Sequence, residues 1–184
     1  MQIVWIIIIV IVLYFVYIYN RLITLRNRGK ESLSDIDVQL KRRYDLIPNL
    51  VKIVQAYAKH EKSIFENVAK LRSQAMNGDK SLNDQAKIED ELSKNIKSLF
   101  AVAENYPDLK ANENFLELQK ELVDTENKIQ ASRRFYNTNV LALNTSVEVF
   151  PKNIIASIFN FKKMEFFEVE DTKERENIEI KIDK

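Results

Sequence analysis

IDVQLKRRYDLIPNL, residues 36–50, decides how the chain folds, because its apolar spacing and its proline point in different directions. Leu33, Ile36, Leu40, Arg43, Ile47 and Leu50 keep steps of 3 and 4 straight through Pro48, as a kinked single helix would. Asp45, however, can cap a new helix with Pro48 in its first turn, where the missing N–H costs nothing. The second reading predicts a hairpin, and we adopt it. The expected fold is all-α: an N-terminal transmembrane helix followed by an antiparallel four-helix up-and-down bundle. The alternative is three long helices with a kink at Pro48. Length weighs against the hairpin, since a helix from Pro107 to Phe150 would measure about 60 Å while residues 22–44 supply about 33 Å.

Downstream, Ile47, Leu50, Val54, Tyr57, Glu61, Ile64, Val68, Leu71 and Ala75 keep the same steps, with Glu61 the one charge in this stretch. Leu82, Ile88, Leu92, Ile96, Leu99, Phe100 and Ala103 share a face in the next segment. A further run from Phe115 to Phe150 carries a stutter around Tyr136 that would relax the supercoil. Asp108 and Asn112 are candidate N-caps for that run. The rare breakers Gly29, Pro48, Gly78, Pro107 and Pro151 punctuate these segments.

Upstream lies IVWIIIIVIVLYFVYIY, Ile3 to Tyr19, without a charge, amide, glycine or proline. As a helix it covers about 26 Å, and Leu22 and Ile23 extend it towards the roughly 30 Å of a hydrocarbon core. Trp5 near one end and Tyr14, Tyr17 and Tyr19 near the other suit the two interfaces. A cleaved signal peptide would need a basic start and small residues at its cleavage point. No Lys or Arg precedes Arg21, and no Ala, Gly or Ser precedes Gly29, so the anchor is expected to stay attached. Arg21, Arg26, Arg28 and Lys30 follow the span and predict an external N-terminus with the remainder in the cytoplasm. The organisation expected is 1–22 anchor, 23–163 cytoplasmic helical bundle and 164–184 acidic, flexible tail. In that tail Ile178, Ile180 and Ile182 alternate, as a strand added to a partner's sheet edge would.

Among 184 residues there is no cysteine and one histidine, which excludes disulfides, thiol nucleophiles and histidine-rich metal centres. Twenty-eight basic residues against 27 acidic give a net charge of +1, so no positive field advertises nucleic acid as a partner. Two distant glycines cannot build a phosphate-cradling loop. His60-Glu61 fails the zinc-hydrolase pattern because residue 64 is Ile, and the di-iron pattern because residue 57 is Tyr. We expect no catalytic residue, cofactor, metal or small-molecule substrate.

Two polar clusters exceed what a plain coiled coil needs, residues 36–50 and 132–144. Arg42, Arg43, Arg133 and Arg134 offer planar forks that can pair with Asp37, Asp45 or Glu61 inside the bundle. Such a layer would fix helix register. The rival reading is a recognition surface for an acidic partner or lipid headgroup. After Pro151, Ile154, Ile155, Ile158, Phe159, Phe161, Phe166 and Phe167 crowd a short segment that must be covered. Packing on the bundle is the expectation, with the bilayer surface as alternative.

The stretches YNRLITLRNRGKESLSDIDVQLKRRYDLIPNLVKIVQAYAKHE, NYPDLKANENFLELQKELVDTENKIQASRRFYNTNVLALN and FPKNIIASIFNFKKMEFFE resemble the LemA family of bacterial membrane proteins. The resemblance implies one N-terminal membrane helix with a short external end and a cytoplasmic four-helix bundle in the cell membrane. Its pattern falls on Asp37, Arg42, Arg43, Asp45, Pro48, Asn49, Glu61, Arg133, Tyr136, Asn137, Asn144 and Pro151, with Arg134 and Phe150 beside them, and implies a catalytic or metal role for none. The resemblance is weakest in the final residues, after Glu170. The expected function is a non-enzymatic interaction or scaffold module for envelope proteins or copies of itself, anchored through Ile3, Trp5, Tyr14, Tyr17, Tyr19 and Arg21. The alternative is a lipid or envelope-stress sensor binding anionic lipid through the basic collar and the Phe-rich segment.

Overall fold

The computed structural model describes residues 1–78 and 80–168. The expected tail lies outside the described residues from residue 169 onward. Among the described residues there are six helices: α1 (Gln2–Tyr57), α2 (Lys62–Met76), α3 (Leu82–Ala103), α4 (Pro107–Lys110), α5 (Glu113–Glu148) and α6 (Lys152–Ile158). No strand occurs among the described residues.

The hairpin at Pro48 is not formed. α1 runs through the proline as one helix of 56 residues, and Asp45 lies exposed in its interior, capping nothing. Proline lacks the N–H that would serve the carbonyl four residues earlier, so the Tyr44 carbonyl loses its helical partner. Arg72 of α2 replaces it, its Nε donating to the Tyr44 carbonyl at 2.7 Å. Ile47, Leu50 and Val54 are all buried on the same seam, which carries the helix across the proline.

The chain reverses instead at residues 58–61, Ala-Lys-His-Glu, a stretch without glycine or proline. Ala58 is fully buried at this corner with φ −114° and ψ 58°, and its N–H still bonds to the Val54 carbonyl at 2.8 Å. Glu61 becomes the N-cap residue of α2, without a side-chain capping bond. The apolar steps stay in phase across this turn because both helices face the same core.

Gly29 is likewise no breaker. It sits inside α1, where an added Cβ would come within 2.8 Å of the Met164 Sδ. Ser81 caps α3, accepting from the Asp84 N–H at 3.1 Å. Asn112 caps α5 as expected, accepting from the Phe115 N–H at 3.0 Å, whereas Asp108 falls in the first turn of α4 behind Pro107.

α5 runs antiparallel to α1: Asn112 reaches Tyr57, Glu126 reaches Arg43 and Asn139 reaches Ser32. α2 returns along α1 through the Arg72 bond, and α3 lines the same core with Leu92, Ile96 and Leu99. A second, smaller core lies towards the apolar end of α1, where Ile18 and Leu22 are covered by Ile155, Ala156 and Phe161. From Ile3 to Tyr17 the helix is exposed, and it is long and apolar enough to cross a membrane.

Arg72→Leu is expected to cost about 1–3 kcal/mol by stranding a buried carbonyl. In a Pro48→Ala background, which restores the helical N–H, the same change should cost much less. A double-mutant cycle by denaturant unfolding in detergent checks this; equal costs in both backgrounds would refute the coupling.

Candidate functional site

Arg43 occupies a seam position of α1 and is 1% exposed, so its charge must be matched inside the protein. Its Nη2 pairs with the fully buried carboxylate of Glu89 on α3. Its Nη1 donates to Glu126 Oε2 at 2.6 Å and to Ser93 Oγ at 2.7 Å. The Tyr44 hydroxyl also donates to Glu89, and Gln85 Nε2 donates to Glu89 Oε1 at 2.6 Å. Burial first, then the Glu89 charge, pushes the Tyr44 phenol far above its ordinary range, so it remains a donor. A continuous polar layer thus crosses α1, α3 and α5.

The expected acids are not the ones used. None of Arg42, Arg43 and Arg133 meets Asp37, Asp45 or Glu61. Arg42 approaches Asp124 at 3.5 Å, and Arg133 pairs with Asp90 at 2.6 Å. Arg134 is exposed, and Asp37 and Asn49 are exposed on α1. Asp37 lies at a cavity of about 360 Å³ with Lys41, Tyr44 and Lys80; Asn49 borders an open groove of about 390 Å³ with Ile53, Leu118 and Glu121. Glu89 was legible in principle, since Leu82, Gln85, Glu89, Leu92, Ile96, Leu99 and Ala103 hold steps of 3 and 4.

The second polar cluster forms a clamp. After α6, Asn160 adopts φ 53°, a left-handed conformation that Asn tolerates, and the chain turns back along α5 as an extended strap. Asn144 holds both polar groups of Met164: its Nδ2 donates to the Met164 carbonyl and its Oδ1 accepts from the Met164 N–H, each at 2.9 Å. Asn137 does the same for Phe167, at 3.2 and 2.8 Å. Between them the buried Tyr136 donates to the Glu165 carbonyl at 2.7 Å. Burial, then the nearby Glu165 charge, pushes the Tyr136 phenol up to about 12.

Geometry explains why these asparagines serve. Two helical turns separate them by about 10 Å, and three extended residues span about the same length. Each amide therefore meets one strap residue as a neighbouring strand would. Side chains seal the contact: Met164 lies over Gly29, and Phe167 is buried with the Arg133 guanidinium 4.8 Å from its ring centre. Met164–Phe167, assigned from sequence to the tail, is thus fastened to α5.

At the other end, Ile3, Trp5, Tyr14 and Tyr17 project outward from the span, and Arg21 is exposed. Tyr19 instead packs on Phe159 and Phe161, with ring centres 4.7 and 6.0 Å away. The Phe-rich segment divides: Ile155, Phe161 and Phe167 are buried, whereas Ile154, Ile158 and Phe159 are exposed. Phe150 is 80% exposed and precedes Pro151, the N-cap residue of α6, through a cis peptide bond. Among the described residues no group of His, Asp and Glu is arranged to hold a metal ion.

These features define an all-α protein with one candidate membrane helix, a buried arginine–glutamate layer and a strap clamped by asparagines. The chain belongs to the LemA family, whose model matches residues 32–182. It is similar to magnetosome protein MamQ of Magnetospirillum gryphiswaldense, 24% identical over 81% of this chain and 64% of that protein. It is also similar to protein LemA of Metamycoplasma hominis, 26% identical over 87% of this chain and 74% of that one. The chain thus spans less than two thirds of the magnetosome relative's length.

Two outcomes follow from the site. Glu89→Leu should destabilise the protein by about 3–5 kcal/mol, because it leaves a buried guanidinium short of its partner. Arg43→Met combined with Glu89→Leu should cost less than the sum of the single changes, as measured by denaturant unfolding. For the clamp, Asn144→Ala and Asn137→Ala should speed amide exchange at Met164 and Phe167 respectively, roughly 5- to 30-fold for a loss of about 1–2 kcal/mol, with α5 amides unchanged. Unaltered exchange at both strap residues would refute the clamp.

Proposed function

We propose that this chain is a non-enzymatic, single-pass protein of the bacterial cell membrane, with its N-terminus outside and its helical body in the cytoplasm. That body serves as an interaction or scaffold module for envelope proteins or for copies of itself. The observation that carries this reading is an apolar line along α5. Leu116, Val123 and Leu141 are 47%, 50% and 57% exposed. Two turns separate the first pair and five turns the second, so all three lie on one side of the helix.

Lys120 and Arg134 fall on the same side, and both are exposed. Exposed apolar side chains around an arginine match the makeup of protein interfaces, where Arg is enriched. A helix face of this kind suits a partner offering apolar groups beside a carboxylate. This gives Arg134 a role that the buried layer does not. The alternative reading, a lipid or envelope-stress sensor, draws on α6 and the basic collar.

Crosslinking in native membranes at endogenous expression, read by mass spectrometry, tests the proposal. Adducts involving α5 are expected, and Leu141→Glu with Arg134→Glu should abolish them without lowering protein level, since both positions are exposed. Recovery of the monomer alone from the unaltered protein would overturn it.

A further inference from the structure

α6 is packed against the wall of the apolar span itself. Ile18 is 1% exposed because Ile155, Ala156 and Phe161 cover it, and the Tyr19 ring meets Phe159. Ile18 and Tyr19 nonetheless belong to the unbroken apolar run Ile3–Tyr19. That run covers about 26 Å as a helix, short of a hydrocarbon core of about 30 Å. Filling the core therefore takes in Ile18 and Tyr19 and draws on Leu22 in the next turn. Ile18 lies about 6 Å deeper along the helix axis than Leu22. An element seated on both residues is held at the membrane boundary, not in the water beyond it.

The part of α6 and its flanking residues that stays uncovered is apolar as well. Phe150 is 80% exposed, Ile158 66%, Phe159 55% and Ile154 45%. On the apolar run itself Tyr17, one residue before the covered Ile18, is 64% exposed. Its rim is basic. Arg21 and Lys162 are exposed, the Arg26 guanidinium sits 5.3 Å from the Phe161 ring centre, and Lys163 is engaged by Glu148. A protein covering this patch would have to enter the headgroup layer, whereas lipid already adjoins it.

We propose that Phe150 and α6 form an in-plane membrane-interface element. Phe150, Ile154, Ile158 and Phe159 enter the boundary between headgroups and acyl chains to a depth of about 5–10 Å, the usual depth for such a face. Arg21 and Lys162 lie level with the lipid phosphates. Because α6 is also joined to α5 and, through the strap, to Asn144 and Asn137, this contact holds the helical body at a set depth and tilt. The inference rests on the apolar run being a membrane span.

The chain contains no cysteine, so single-cysteine variants report one position each. Full-length protein carrying Phe150→Cys, Ile158→Cys, Val10→Cys or Glu117→Cys is labelled with an environment-sensitive fluorophore and reconstituted into phosphatidylcholine–phosphatidylglycerol vesicles. All four positions are exposed, so the labels leave the folded body intact. Positions 150 and 158 should be quenched several-fold more by a lipid-borne quencher near the headgroups than by aqueous iodide. Val10 should respond to a quencher at the acyl-chain ends, and Glu117 to iodide alone. Iodide quenching at 150 and 158 equal to that at 117, with Val10 still deep, would overturn the inference and leave the span standing. Protection of 150 and 158 from both lipid-borne and aqueous quenchers would assign the patch to a protein partner or second copy and overturn it equally. Iodide quenching at Val10 would remove the span and the inference together.

Discussion

A guanidinium buried to 1% exposure constrains everything around it. Arg43 has to find acceptors inside the protein, and it finds Glu89 on α3 and Glu126 on α5. Since both acids are fixed on their helices, satisfying the charge sets the register of three helices at once. A slip of either neighbour by one turn, about 5.4 Å, would leave opposite charges buried and separated. The apolar seams supply the burial, but they repeat and so tolerate sliding. The polar layer does not repeat and so selects one alignment. Tyr44 and Gln85 complete it by donating to the same carboxylate.

The continuity of α1 depends on a related compensation. A proline in a helix interior removes a hydrogen bond and costs about 3 kcal/mol. Here the liberated Tyr44 carbonyl receives the Arg72 side chain, so the defect becomes a point of attachment for α2. Tyr44 thereby joins two stabilising arrangements, offering its hydroxyl to the charge layer and its carbonyl to α2. One continuous helix then links the apolar run to the folded body.

Towards the apolar end of α1 the strap and α6 tie the last described segment to the first helix. Met164 seats on Gly29 of α1 while Asn144 holds its backbone, and Ile155 and Phe161 close over Ile18 and Leu22. Backbone recognition by Asn137 and Asn144 leaves side-chain choice in the strap to packing alone. The single methyl-free position at Gly29 shows how closely the strap approaches. The chain so described is a member of the LemA family in which the last described segment folds back onto the first helix.

Much of this was legible from sequence. An apolar run of seventeen residues cannot be solvated singly, and seams of 3 and 4 bury their apolar faces as packed helices, so the long apolar helix and the all-α body follow from composition and periodicity. Asn112 was legible as a cap because capping is local chemistry, decided within four residues. The turn was not. Pro48 carries the local signature of a helix start, yet the carbonyl it orphans is satisfied by Arg72 from another helix, a fact that exists only after folding. The reversal at Ala58 carries no breaker, since it is imposed by where the core ends and not by backbone preference. Arg43 lies on a seam, but its partners are far along the chain: Glu89 keeps the phase of its own apolar face, yet nothing local pairs it with Arg43, and nothing local distinguishes Glu126 from a solvated acid. Sequence fixes which faces must be buried because solvation is a property of each residue; which helix covers each face is decided by three-dimensional packing, because pairing is a property of two.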